Sequence, residues 1–193
     1  MTAYDYSDAT APLDMELIPD GLVATVQMRV RAGDGADGVL KRSKNGDSEY
    51  LDCEFILVDT KHAKMKFWQI LLLAGETDGQ KQMVDKSKSI LKAILDSAYG
   101  LNPDDKGPEA RAKRSKTHSD FDGLRFLVKI AIEKGKPKSA GSSETYKDRN
   151  VIGAIITPDK PEYRPIEQSG SLSGGASPAV PSSAPIVKPA WAQ

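Results

Sequence analysis

What most constrains the fold of this chain is a change of hydrophobic period along it. Over residues 22–32 apolar and polar positions alternate: Leu22, Ala24, Val26, Met28 and Val30 share one face, and Val23, Thr25, Gln27, Arg29 and Arg31 the other. A period of two with one apolar face is the pattern of a half-buried β-strand. It returns over residues 50–58, with Leu51, Cys53, Phe55 and Leu57 inward, and again over residues 64–74. The period then lengthens. Met83, Ile90, Leu91, Ile94, Leu95 and Ala98 form the stripe of an amphipathic helix, and Gly100 stands where a helix-ending glycine belongs. Alternation resumes over residues 124–133, where Leu124, Phe126, Val128, Ile130 and Ile132 oppose Arg125, Leu127, Lys129, Ala131 and Glu133. A last strand is expected over residues 150–157, stopped by Pro158.

The connections carry their own signals. Asn45-Gly46 favours positive φ and predicts a tight hairpin turn before the second strand. Residues 102–120 read as a polar, basic connection with helical character around 109–116. Residues 1–12 are small, polar and acidic, which predicts a disordered arm, and residues 13–167 hold the folded domain. From residue 168 the composition changes: Ser, Gly, Pro and Ala supply 18 of the last 26 residues. Such a segment buries too little apolar surface to offset its ordering entropy, so 168–193 is expected to be a disordered tail. No apolar run approaches the ~20 residues of a membrane span. The first eleven residues carry acids and no base, unlike a secretory signal. The single cysteine, Cys53, leaves no intramolecular disulfide or multi-cysteine zinc site. These features predict a cytoplasmic protein.

Strand-strand-strand-helix-strand-strand is the element order of the OB-fold, although other α+β domains share that string. The expected class is mainly β with one main helix: a five-stranded Greek-key OB-like barrel plus disordered termini. Such a barrel binds oligonucleotides or oligosaccharides across its second and third strands and the loops joining strands 1–2 and 4–5. Here 27 bases balance 27 acids, but unevenly. Residues 1–20 hold five acids and no base, while residues 106–149 hold twelve bases against six acids. The first loop carries Lys41, Arg42 and Lys44; the last carries Lys134, Lys136, Lys138, Tyr146, Lys147 and Arg149. Because screening removes interactions beyond ~10 Å, local basicity decides whether phosphate is attracted.

Several short motifs point the same way. The run Asp122-Gly123-Leu124-Arg125-Phe126-Leu127-Val128-Lys129, the run Tyr146-Lys147-Asp148-Arg149-Asn150-Val151-Ile152 and the close Thr157-Pro158-Asp159, with Pro19-Asp20-Gly21 before the first strand, resemble a family of phage- and prophage-encoded proteins. Those proteins are taken to be single-stranded-DNA-binding proteins of the OB type. The resemblance covers residues 13–160; the 101–120 insertion and the tail depart from it. It implies service in phage DNA replication or recombination, inside a bacterial host cell.

The residues expected to contact nucleic acid are Arg29, Arg31, Lys41, Arg42, Lys44, Lys64, Lys66, Trp68, Lys129, Tyr146, Lys147 and Arg149. If Met65 and Phe67 point inward, Trp68 stands outside with Lys64 and Lys66 as a stacking platform; with the opposite parity it is core alongside Ile70 and Leu72. Arg29 and Arg31 either reach phosphate or pair across the sheet with Asp52 or Glu54. At the C-terminus Ile186, Val187 and Trp191 form an apolar tip, expected to bind replication or recombination proteins. Catalysis finds little support. His62 and His118 have no metal-spaced partner, residues 33–38 lack the Lys-Ser/Thr of a phosphate loop, and Ser43 and Ser48 have no nearby base. No enzyme activity, cofactor or metal is expected. The alternative function is an OB-like protein-interaction or scaffold module without nucleic-acid binding.

Overall fold

The computed structural model describes residues 16–139 and 143–168. The arm over 1–12 and the tip at Ile186, Val187 and Trp191 lie outside these residues. The strands are β1 (Val23–Val30), β2 (Lys41–Arg42), β3 (Ser48–Leu57), β4 (Lys66–Gly75), β5 (Arg125–Glu133) and β6 (Arg149–Ile155). The helices are α1 (Asp78–Tyr99) and the short α2 (Pro108–Arg114), followed by one 3-10 turn (His118–Phe121).

All six strands belong to one antiparallel sheet. β3 is its centre. One edge of β3 takes β1 (Val26 opposite Leu57 through Val30 opposite Cys53) and then the two residues of β2. Its other edge takes β4, from Ser48 opposite Gly75 to Ile56 opposite Lys66. β1 continues to β5, and β5 to β6. Antiparallel steps throughout leave β4 and β6 running in the same direction, and the sheet curls until these two approach each other. No backbone ladder joins them among the described residues. Gln69 on β4 bridges the seam instead, its Oε1 accepting from Ile152 N at 3.1 Å. The expected barrel therefore falls short of closure: one rung of the seam is a side chain.

The inner face follows the alternation. Ala24, Val26, Met28, Leu51, Cys53, Phe55, Leu57, Phe126, Val128 and Ile130 are essentially inaccessible. Phe55 stacks on Phe67 (centroids 5.1 Å) and meets Phe126 edge-on (6.0 Å), tying β3, β4 and β5 together. Burial pushes the Cys53 thiol up to about 12, so it is inert packing.

Helix α1 starts where Thr77 closes a capping box: Gln80 N donates to the Thr77 hydroxyl (3.2 Å), and Thr77 N donates to Gln80 Oε1 (2.9 Å). Gly100 ends it at φ 65°, its N–H donating to Asp96 O. The buried stripe is Val84, Ser87, Leu91, Ile94, Leu95 and Ala98. Met83, expected within it, is 57% exposed; Val84 takes the core position, and Met83 lies about 100° around the helix from it. No helix among the described residues is long and apolar enough to cross a membrane.

Two features beyond the strands and α1 complete the fold. The 101–120 insertion is pinned to α1 through Asp96, 1% exposed, which receives Lys92 Nζ at 2.8 Å and Arg114 Nε at 2.6 Å. Arg114 also donates to the carbonyls of Asn102 (2.9 Å) and Asp105. The segment after β6 then runs back across the outward face of β1 and β5. Arg164 pairs with Asp59, and the Gln168 amide donates to the Ala98 and Arg125 carbonyls (2.9 and 2.7 Å) while accepting from Arg125 N (3.0 Å). Leu127, expected on the outward face with Arg125 and Lys129, is fully buried; its N–H donates to Ser97 Oγ of α1 at 3.0 Å and its carbonyl accepts from Ile156 N at 3.0 Å. Asp96→Ala leaves Arg114 inside without its counter-charge, so the chain should lose about 3 kcal/mol of stability. Urea unfolding checks this: the midpoint falls while the slope stays unchanged.

Candidate nucleic-acid interface

The outer face of β3 and β4 carries a compact set of charges around one aromatic ring. Phe67 is in the core, so Trp68 turns outward and is half-buried there. Its indole Nε1 donates to Glu54 Oε2 (3.3 Å), and the Arg31 guanidinium lies 5.8 Å above the ring. Lys66 Nζ sits 2.8 Å from Glu54, and Arg31 is 3.6 Å from both Glu54 and Asp52. Lys41 joins through Asp52 at 2.8 Å. The Lys66 hydrogen bond holds the Glu54 carboxyl below its usual range. Of the two outcomes open for Arg31, the cross-strand pairing is the one found.

Beside this cluster a groove of about 610 Å³ opens between β4, the N-terminal half of α1 and β6. Trp68, Ile70, Ile90 and Ile152 line it, and two lining residues, Ile70 of β4 and Met83 of α1, are 58% and 57% exposed. Lys86, Glu133 and Arg149 rim it. Glu133 and Arg149 also line a second cavity of about 430 Å³ built by the loop between β5 and β6, with Lys136, Tyr146 and Lys147. Arg149 grips Glu133 at 2.6–2.7 Å and depresses its carboxyl, with Lys136 and Lys86 adding to the effect. Lys134 pairs with Asp148 at 2.7 Å, which lowers the carboxyl and raises the ammonium. Tyr146 is 59% exposed.

The expected contact residues thus divide. Arg31, Lys66 and Trp68 form one cluster, and Lys41 joins it through Asp52; of these four only Trp68 lines the groove. Tyr146, Lys147 and Arg149 line the second cavity. Arg42 pairs with Glu49 (3.0 Å), and Lys44 is exposed in the hairpin turn. Arg29 is exposed and opposite Glu54 in register; Lys64, at φ 73°, sits in the β3–β4 turn; Lys129 is on the outward face of β5. Arg29, Arg31, Lys41, Arg42, Lys44, Lys64, Lys66 and Lys129 line neither cavity. Ile70, Met83 and Lys86 were not anticipated as site residues. The available signal was Val84, which fits the spacing of Leu91, Leu95 and Ala98 and frees Met83 to face elsewhere.

The loop from residue 33 to residue 40 is closed by backbone bonds (Gly33 N to Gly38 O and Gly35 N to Leu40 O, both 2.9 Å) and by Asp37, whose carboxylate accepts from Val39 N (3.1 Å) and Leu40 N (2.9 Å) and lies 2.9 Å from His118 Nδ1. Those bonds, led by Leu40 N, lower the Asp37 pKa to about 2. Among the described residues no group of three His, Cys, Asp or Glu side chains is placed to hold a metal. Comparison of the chain with protein-family models, curated proteins and solved structures yields no match.

A depressed carboxyl contributes stability above its unfolded pKa and loses it as pH falls through the folded value. The Asp37 bonds should hold the loop closed at pH 4 and release it toward pH 2. Carboxyl-carbon NMR titration checks this, and Asp37→Ala, which removes both acceptor bonds, should speed amide exchange at Val39 and Leu40 at neutral pH.

Proposed function

We propose that the chain binds single-stranded DNA without sequence preference, as an OB-type module serving phage DNA replication or recombination in a bacterial host. The observation that carries this reading is Trp68 on the outer face of β4, with the Arg31 guanidinium over its ring, Lys66 beside it and the apolar groove next to it. A base stacked on such a ring contributes ~1–3 kcal/mol whatever its identity. Phosphates gain Arg31, Lys41 and Lys66 by displacing Asp52 and Glu54. That exchange has a cost, because the Asp52 and Glu54 side chains are only 20% and 12% exposed and a phosphate must offer more to the three cations than these carboxylates do. The strand neighbours β4-β3-β1-β5-β6, with the helix between β4 and β5, support the OB reading, since that fold uses the same order.

A protein-interaction module is the second reading. The pairing of Arg31, Lys41, Lys66 and Arg149 with carboxylates favours it, as do the exposed Ile70 and Met83.

Fluorescence anisotropy with oligo-dT, duplex DNA and single-stranded RNA, at two salt concentrations, tests the proposal. Oligo-dT should bind more tightly than duplex, and log affinity should fall with log salt by ~0.7 per phosphate contact. Trp68→Ala should cost about tenfold, the equivalent of ~1.4 kcal/mol within the stacking range. Charge removal at Lys41, Lys147 and Arg149 should weaken all sequences equally and flatten the salt slope. Absence of oligo-dT binding at low salt overturns the proposal in favour of the second reading.

A further inference from the structure

On the outer face of the sheet two carboxylates hold three cations. Asp52 and Glu54 share one face of β3, close enough for a single guanidinium to reach both. Backbone pairing fixes their surroundings: Glu54 is the register partner of Trp68 on β4, and Arg31 N donates to Asp52 O at 3.0 Å. Lys41 then goes to Asp52 and Lys66 to Glu54, both at 2.8 Å, and Arg31 sits 3.6 Å from each acid. The acids are the more enclosed members, and Glu54 Oε1 is buried. Glu54 is ionised at neutral pH, because the Lys66 hydrogen bond holds its carboxyl below the usual range.

A ligand that takes these cations must displace both carboxylates. Phosphates alone gain nothing at Trp68: in duplex DNA the bases are already stacked on one another, and an inorganic polyphosphate has none. An unpaired strand gains the ring of Trp68 as well, and that extra contact offsets the displacement. Discrimination is built by holding off the wrong ligand as well as by holding the right one. We propose that Asp52 and Glu54 are specificity-determining residues of the candidate interface, occupying Arg31, Lys41 and Lys66 so that a polyanion without free bases binds poorly. This rests on the single-stranded-DNA reading above and adds to it the reason why duplex is refused.

Glu54 has a second task. Its Oε2 accepts from Trp68 Nε1 at 3.3 Å, so it orients the ring over which the Arg31 guanidinium lies. Substitutions separate the two tasks. Glu54→Gln removes the charge and keeps an oxygen acceptor for the indole. Asp52→Asn removes a charge and leaves the indole bond in place.

The test compares the full-length parent, Asp52→Asn, and the double variant Asp52→Asn, Glu54→Gln at low salt. Labelled oligo-dT and labelled duplex DNA are followed by fluorescence anisotropy, and inorganic tripolyphosphate by calorimetry. In the double variant, affinity for duplex and tripolyphosphate should rise about tenfold and affinity for oligo-dT only about threefold, so the preference for the single strand falls. Asp52→Asn alone should move the preference the same way by a smaller factor. The gain should shrink at high salt, where the freed cations are screened. A preference for oligo-dT over duplex that is unchanged or larger in both variants overturns the proposal. If no chain binds oligo-dT but the double variant alone takes tripolyphosphate, the screening by Asp52 and Glu54 stands and the single-stranded-DNA function falls. If none of the three probes binds any of the chains, both fall.

Discussion

The curl of the sheet depends on the ring of Phe55. It lies on the inner face of the strand paired on both edges, against Phe67 of one neighbour and Phe126 across the fold. Those contacts require β4 and β5 to bend toward each other over β3 and β1. Once they do, β4 and β6 must meet, and α1, which follows β4, covers what the curl leaves open. The groove is the remainder of that geometry: β4 and β6 run in the same direction, do not zip along their length, and α1 fills only part of the space beside them. Every group in the candidate interface owes its place to this bend.

Much of the frame was legible because period-two alternation is a direct consequence of a sheet with one sealed face. Leu51, Cys53, Phe55 and Leu57 were readable as core for that reason, and Gly100 as a helix end because its left-handed conformation is cheap only for glycine. What stayed hidden came from contacts between distant parts of the chain. Nothing local in Gln69 announces that its amide replaces a ladder rung. Nothing local in Leu127 reveals that its backbone is held by Ser97 of α1 and by Ile156, and that its side chain is sealed from solvent. Met83 was misassigned because a helical stripe read from composition has an angular uncertainty of about one residue, and Val84 fitted equally well.

The charged residues teach a related lesson. A sequence gives the number of bases in a segment but not the partners they find. Lys41, Arg31 and Lys66 lie across from Asp52 and Glu54 only because β2, β1 and β4 all flank β3. The result is a face that is rich in cations yet close to locally neutral. Its affinity for any anion depends on how easily carboxylates give way, which is a property of pairs and not of residues. Around Glu133 the same holds: Arg149 pairs with it directly while Lys134 of the same loop is taken by Asp148.

Gln168 sets a division of labour. Its amide fixes the last described residue to the C-terminal end of α1 and the first residue of β5, whereas the groove belongs to the N-terminal half of that helix. Eleven helical residues, ~16 Å at 1.5 Å each, separate Ser87 from Ala98. The segment after β6 therefore braces one end of α1 against the sheet and leaves the end that borders the groove free of that brace, so the groove wall and the helix C-terminus can respond to load separately.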